Sequence, residues 1–378
     1  MYRFSFPTPI HFGAGARKKI AENLRANGVK HPLIVTDRGI AALPMCKEIE
    51  TDLSGSGLKV TTFSEIWGNP VKSQVTAGVD AYKKNNCDGI VGLGGGAALD
   101  VAKAIALMAT HPGDLFDYED EKPGGRPIDG KIPYWVAVPT TSGTGSEVGR
   151  SSVISDDQTH IKKIIFDPKL LARTVFADPE LTYALPAAIT ASTGMDALTH
   201  CVEAYLAKGF HPICDGIAME GIRLCGESLT KAVKEPKNPE ARGAMMMASM
   251  MGAIAFQKGL GLTHSCAHAL GTVVDMHHGL ANGIMIDFAL KFNIQAVPER
   301  FKNMATTLGL KQADGAGFIQ WLRDEKAAIG IPKNLTAAGV DKKHLDRLVQ
   351  VAFEDSCHGN NPRTVTKEDF KAIFNEAF

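Results

Sequence analysis

The chain has no CxxC pair; its seven cysteines, Cys46, Cys87, Cys201, Cys214, Cys225, Cys266 and Cys357, are scattered and odd in number. That excludes a thiolate zinc site and a framework of structural disulfides, and it points to a reducing compartment. Neither sign of charge dominates. Lys plus Arg and Asp plus Glu both count 41, so nothing favours nucleic acid or an anionic membrane as partner, and a small molecule is the default ligand. A long apolar run is also missing: the longest, residues 244–256, falls short of the roughly 20 residues that span a bilayer, and its methionines suit a buried core helix. Residues 1–10 alternate apolar with polar and lack the apolar stretch of a signal peptide. A cytoplasmic location is expected.

At 378 residues the chain exceeds the size, about 250 to 300 residues, at which single cores stop growing, so two domains are expected. The first half alternates β-rich runs at 32–36, 59–63 and 89–92 with amphipathic segments near 16–27, 39–54 and 72–86. This alternation is the mark of a parallel α/β sheet. Residues 134–138 give another strand, with more at 151–155, 161–166 and 174–177, the first two of these as a hairpin. From Pro186 onward helix formers recur in 3.6-period blocks punctuated by Pro212, Pro236, Pro298, Pro332 and Pro362. The expected architecture is a Rossmann-like parallel α/β domain over 1–181 and an all-helical domain over 182–378. The charged Gly- and Pro-containing stretch 119–133 reads as a surface loop.

Within the first domain, Gly92-Leu-Gly-Gly-Gly-Ala-Ala-Leu-Asp100 follows a strand and opens a helix. The first-turn amides of such a helix lack intrahelical partners and, with the helix dipole, suit a pyrophosphate. Three consecutive glycines remove every Cβ that would hold a phosphate off the backbone. A second loop, Pro139-Thr-Thr-Ser-Gly-Thr-Gly-Ser-Glu147, concentrates hydroxyls after the next strand and is placed to line the same ligand. The acid that grips a ribose ordinarily lies about 20 residues after the glycine loop, which nominates Asp114 or Asp117. Asp37, where an earlier strand ends, is their rival, and local pattern leaves the choice open.

Four potential metal ligands, Asp196, His200, His264 and His278, occur in two short segments of the second half. The i, i+4 spacing of Asp196 and His200 puts a carboxylate and an imidazole on one helical face, and His264 and His268 share a face in the same way. Two such faces can converge on one divalent cation. The donors are hard or borderline without thiolate, so Fe²⁺, Zn²⁺, Mn²⁺, Co²⁺ or Ni²⁺ all suit them.

The motifs Gly94-Gly-Gly-Ala-Ala-Leu-Asp-Val-Ala-Lys103, Pro139-Thr-Thr-Ser-Gly-Thr-Gly-Ser-Glu147, Gly194-Met-Asp-Ala-Leu-Thr-His-Cys-Val-Glu-Ala-Tyr205, Gly259-Leu-Gly-Leu-Thr-His-Ser-Cys-Ala-His268 and His278-Gly279 together resemble the iron-dependent, group III alcohol dehydrogenases, relatives of dehydroquinate synthase and glycerol dehydrogenase. The resemblance spans nearly the whole chain. It implies metal ligation by Asp196, His200, His264 and His278, with iron as the family's metal, and His268 beside the metal as the proton path. It also implies phosphate contacts at Gly95, Gly96 and Ala97, with Asp100, Thr140, Thr141, Thr144 and Lys162 among the cofactor residues. Asp37 falls at the adenosine ribose and Asn69 near the adenine end, which favours Asp37 over Asp114.

A carboxylate at Asp37 accepts from both ribose hydroxyls and repels a 2′-phosphate, so NAD(H) is expected over NADP(H). The resemblance further implies an alcohol or aldehyde substrate, an active site in the cleft between the domains, and a homo-oligomer. A glycerol-dehydrogenase-like polyol enzyme and a hydroxyacid–oxoacid transhydrogenase are the alternatives. The chain departs from the family at Ala97, where serine is usual, and over 256–259, which is one residue shorter. Arg150, Lys258 and His358 are candidates for cations that favour a carboxylate-bearing substrate, with Cys357 as a further wall of the same pocket.

Overall fold

In the computed structural model, which describes Phe6, residues 8–120 and residues 122–378, the β-rich runs of the first half pair as a parallel sheet. Most of the alternating start at 1–10, and Glu121 of the charged loop, lie outside the described residues. The strands are β1 (Ile10–Phe12), β2 (Pro32–Val35), β3 (Thr61–Phe63), β4 (Gly89–Gly94), β5 (Tyr134–Pro139), β6 (Ser151–Ser155), β7 (Lys162–Phe166) and β8 (Thr174–Ala177). Six of them form one sheet in the order β1-β8-β5-β4-β2-β3, while β6 and β7 pair as the expected antiparallel hairpin.

Helical crossovers cover both faces of a parallel sheet, so its central strands carry apolar residues on both sides. β4 is buried along its whole length. On one face Ile34, Val91, Leu93, Val136, Val138 and Phe176 pack with Ile20, Leu24, Ile49 and Leu53 of the helices Ile20–Ala26 and Pro44–Gly55. Against the other face lies the helix Gly96–Met108, buried at nine positions; a Cβ on Gly92 would stand 3.0 Å from Ala102 Cβ. β1 escapes a periodicity reading because it has only three residues, one of them polar. His11 nevertheless stacks on Phe176 of β8 at 5.1 Å.

The strand order fixes where a ligand can sit. From β2 the chain steps outward to β3, whereas from β4 it steps the other way to β5. The switch point is therefore the crevice at the carboxyl ends of β2 and β4, the usual binding place in open α/β sheets.

The described chain divides into two compact units: an α/β unit extending to Thr141 and resuming over Ser146–Thr182, and a helical unit of Ser142–Gly145 and Tyr183–Phe378. The helical unit is built on Ala187–Leu206, Pro212–Lys234, Pro239–Ala255, Leu262–Val274 and His278–Asn293. Pro212, Pro239 and Pro298 sit in first helical turns, where the missing N–H costs nothing and the fixed φ favours entry. Ala187–Leu206 is buried continuously from Thr190 to Leu206, as a helix surrounded by others must be. The apolar run 244–256 lies almost entirely in Pro239–Ala255, and no described helix is long and apolar enough to cross a membrane.

Candidate metal and cofactor sites

The helix Ala187–Leu206 presents Asp196 and His200 on one face, Leu262–Val274 presents His264 and His268, and His278 opens a third helix, His278–Asn293. The ligand-type atoms of Asp196, His200, His264 and His278 all lie within 4.8 Å of one another. Asp196 Oδ1 is 3.9 Å from His200 Nε2 and 3.4 Å from His278 Nε2, and the His200 and His264 rings stack at 4.7 Å. His277, the neighbour of His278, has a different job: its Nδ1 accepts from Leu280 N at 3.4 Å and caps the third helix.

Asn282 probes the character of this group. Its Nδ2 donates to Asp196 Oδ1 at 2.8 Å and lies 3.3 Å from His264 Nε2 and 3.2 Å from His278 Nε2. Three atoms able to offer a lone pair thus converge on one amide with two hydrogens, an arrangement that fits a cation. Burial pushes the pKa of His200 down to about 4, so its ring is neutral and keeps a lone pair to offer.

Two carboxylates that the sequence reading did not single out hold the imidazoles in place. Glu203 Oε2 accepts from His264 Nδ1 at 2.7 Å, which leaves Nε2 as the unprotonated nitrogen. The same carboxylate accepts from the amides of Gly261 (3.0 Å), Thr263 (2.6 Å) and His264 (3.3 Å), capping the helix that carries His264. Burial pushes Glu203 up, but these donors overrule it and keep its pKa below the ordinary glutamate value. Asp355 does the equivalent for His268: Oδ2 accepts from Nδ1 at 2.7 Å, while Oδ1 accepts from Ser265 Oγ at 2.7 Å and Cys357 N at 2.9 Å. Here too burial acts upward, and the neighbouring His268 ring and the hydrogen bonds hold the carboxyl well below its usual range. His268 stacks on His278 at 5.3 Å. Glu203 had a local signal, since it lies seven residues beyond Asp196 on the same helical face, and Asn282 lies four beyond His278. Asp355 had none.

In the α/β unit the glycine loop joins β4 to Gly96–Met108, whose cap, Gly95, makes no side-chain cap bond. Gly94 has φ +150°, and a Cβ there would meet Ala98 Cβ at 2.7 Å; one on Gly95 would meet Thr141 Cγ2 at 3.1 Å. The absence of a side chain at Gly94 is thus demanded by packing, not only by the approach of a phosphate, while one at Gly95 would press on Thr141. Thr140 N donates to Gly94 O at 3.0 Å, and the buried Thr140 Oγ1 has no partner within the described chain. Asp37 follows β2, and its Oδ1 accepts from Ile40 N at 2.9 Å. Its Oδ2 lies 3.3 Å from where a Gly94 Cβ would be, so the carboxylate faces the glycine loop across the switch point.

The rivals of Asp37 are occupied elsewhere: Asp114 pairs with Lys72 at 3.0 Å and Asp117 with Arg126 at 3.3 Å. The rule of about 20 residues looks for the acid on the strand after the loop, whereas in this sheet the carboxylate that faces the glycine loop follows β2. The Asp100 side chain is bonded within the fold. Its Oδ1 accepts from Ser146 Oγ at 2.6 Å and its Oδ2 from Val153 N at 3.0 Å, so it staples the hydroxyl-rich segment to the helix. Gly96 and Ala97 lie in the first helical turn, Lys162 opens β7, Asn69 lies beyond β3, and Thr144 groups with the helical unit.

Of the residues considered for an acidic substrate, Lys258 is spent inside the fold. Its Nζ is 2.5 Å from Asp215 Oδ1 and 3.0 Å from Tyr205 O, with the side chain 2% exposed. His358 Nε2 meets Phe353 O at 3.1 Å, Arg150 is half-buried, and Cys357 Sγ lies 4.0 Å from His268 Nδ1.

A parallel sheet with a glycine loop at its switch point, joined to a helical unit carrying a convergent Asp-His₃ group, defines a metal-assisted, dinucleotide-linked oxidoreductase. Residues 7–179 match the family model for iron-containing alcohol dehydrogenase, and residues 190–378 match that for the C-terminal part of the Fe-containing alcohol dehydrogenase family. The chain is 37% identical to 4-hydroxybutyrate dehydrogenase of Cupriavidus necator over 98% of each chain, and 36% identical to NAD-dependent methanol dehydrogenase of Bacillus methanolicus over 100% of each. The crystal structure of a 1,3-propanediol oxidoreductase superposes with a TM-score of 0.95 at 35% identity, covering 100% of both chains. The chain belongs to the iron-containing alcohol dehydrogenase family, NAD-linked oxidoreductases that act on CH–OH groups.

Proposed function

We propose that the protein interconverts a small alcohol and its aldehyde with NAD(H), using Asp196, His200, His264 and His278 to hold a divalent metal. The convergence of those four donors within 4.8 Å carries this reading. A cation bound there supplies Lewis acidity toward the alcohol or aldehyde oxygen, and the nicotinamide exchanges the hydride. Glu203 fixes the tautomer of His264, and Asn282 orients the Asp196 carboxylate. His268, with Nδ1–H committed to Asp355, keeps Nε2 to accept the hydroxyl proton on oxidation and return it on reduction. Gly95, Gly96 and Ala97 offer helix N-terminal amides to the pyrophosphate, and Asp37 offers its Oδ2 to the ribose.

The similarity to a 4-hydroxybutyrate dehydrogenase supports testing substrates with a carboxylate, but Lys258 is not the group to read it, being paired with Asp215. Homo-oligomerisation and a cytoplasmic location complete the reading. The test is anaerobic Fe²⁺ reconstitution, in parallel with Zn²⁺, followed by NADH absorbance with alcohols, diols, hydroxy acids and aldehydes. Metal-dependent turnover with free NAD is expected. Loss of metal binding in His277→Ala with retention in His278→Ala would overturn the ligand assignment.

A further inference from the structure

Beside Asp37 stands a pair of side chains that none of the roles above employs. Trp67 is 52% exposed, and Arg38 Cζ lies 3.9 Å over the centre of its ring. Arg38 follows Asp37 directly, and its amide donates to Ile66 O at 3.1 Å, which ties the segment leaving β2 to the segment leaving β3. A guanidinium thus lies over the face of an exposed indole at the carboxyl edge of the sheet. An exposed tryptophan leaves a large apolar ring in water, and a cation over its face adds only modestly to stability at such a site.

The strand order says what can cover the ring. Across the carboxyl edge run, in sequence, the glycine loop of β4, Asp37 of β2 and Trp67 beyond β3. A dinucleotide whose pyrophosphate sits on the glycine loop and whose ribose meets Asp37 must carry its adenine onward, away from β4 and toward β3. We propose that Trp67 and Arg38 form the shelf on which the adenine ring stacks, so that this chain grips the adenosine end by π and cation contacts next to the ribose-binding acid. The proposal rests on the NAD reading above.

The test measures binding, not turnover. Full-length protein is titrated with ADP, NADH and reduced nicotinamide mononucleotide by calorimetry and tryptophan fluorescence, for wild type, Trp67→Ala, Trp67→Phe and Arg38→Met. Because both side chains are exposed, the variants are expected to fold, which circular dichroism checks. ADP and NADH should each bind about tenfold more weakly to Trp67→Ala, within the range that one base stack contributes. Trp67→Phe should recover part of the loss, Arg38→Met should weaken both ligands, and the mononucleotide should bind all four proteins alike. Unchanged ADP affinity in Trp67→Ala and Arg38→Met, with wild type binding NADH, overturns the shelf alone. An equal loss for the mononucleotide also overturns it. Failure of wild type to bind ADP or NADH at all overturns the cofactor reading and the shelf with it.

Discussion

Replacing Glu203 by Gln tests whether the metal group depends on a residue that touches no metal. One carboxylate serves four donors, the His264 ring and the amides of Gly261, Thr263 and His264. A carboxamide keeps one oxygen and turns an NH₂ toward at least one of those N–H groups. Losing one charge-assisted hydrogen bond costs about 1.5–3 kcal/mol. Alternatively, the His264 ring flips its tautomer to accept from the new NH₂, and Nε2 then carries a proton and no lone pair. Either route weakens metal binding, by about 10–100-fold on the scale of other outer-shell partners. The assay is competition for Zn²⁺ against a chromophoric chelator, with a parallel melt of the metal-free protein. A loss of about 2 kcal/mol lowers the melting temperature by about 4–8 °C for a unit of this size. Wild-type metal affinity in Glu203→Gln would refute the reasoning, whatever happens to activity.

Asp355→Asn should leave metal content unchanged and lower kcat by about 10-fold or more, since general acid–base steps contribute about 10²–10⁴-fold; an equivalent fall in metal occupancy would mean that Asp355 acts on the metal group instead. Asp37→Gly should raise the ratio of kcat/KM with NADPH to that with NADH, at a cost of only a few tenths of a kcal/mol for the lost cap; an unchanged ratio counts against Asp37 as the ribose acid. Glu147 gives a pH test. Burial raises its pKa from 4.5 to about 7, with its own backbone amide and Lys103 acting against the rise. A raised acid binds its proton more tightly when folded, so stability falls as pH rises from 4.5 toward 7. Glu147→Gln should flatten that decline in chemical denaturation; an identical slope would contradict it.

The sheet, the hairpin and the helical second half were legible in the sequence because each rests on local alternation or on 3.6-residue periodicity. β1 was not, since its three residues are ordered by β8 rather than by any pattern of their own. In the metal group, Asp196, His200, His264 and His278 stand out by chemistry and spacing. Glu203 and Asn282 share their helical faces but read as ordinary buried polar residues until the tertiary contacts assign them partners. Asp355 reaches Ser265 and His268 from far along the chain, and no window of sequence contains both ends of that contact. The bonds of Asp100 were hidden in the same way: it sits within the phosphate motif, yet its partners Ser146 and Val153 lie about fifty residues on.

The chain crosses between its two units three times rather than once, because Ser142–Gly145 belongs with the helices while its flanks at Thr141 and Ser146 belong with the sheet. The loan is tightly fitted: a Cβ on Gly145 would stand 2.2 Å from Ala253 Cβ and 2.8 Å from Ser249 O, and one on Gly143 would stand 2.8 Å from Thr193 Cβ. No single cut therefore yields the helical unit intact. A fragment beginning at Tyr183 loses four residues of its own packing, and domain exchange between relatives has to transplant this short inset along with the helices.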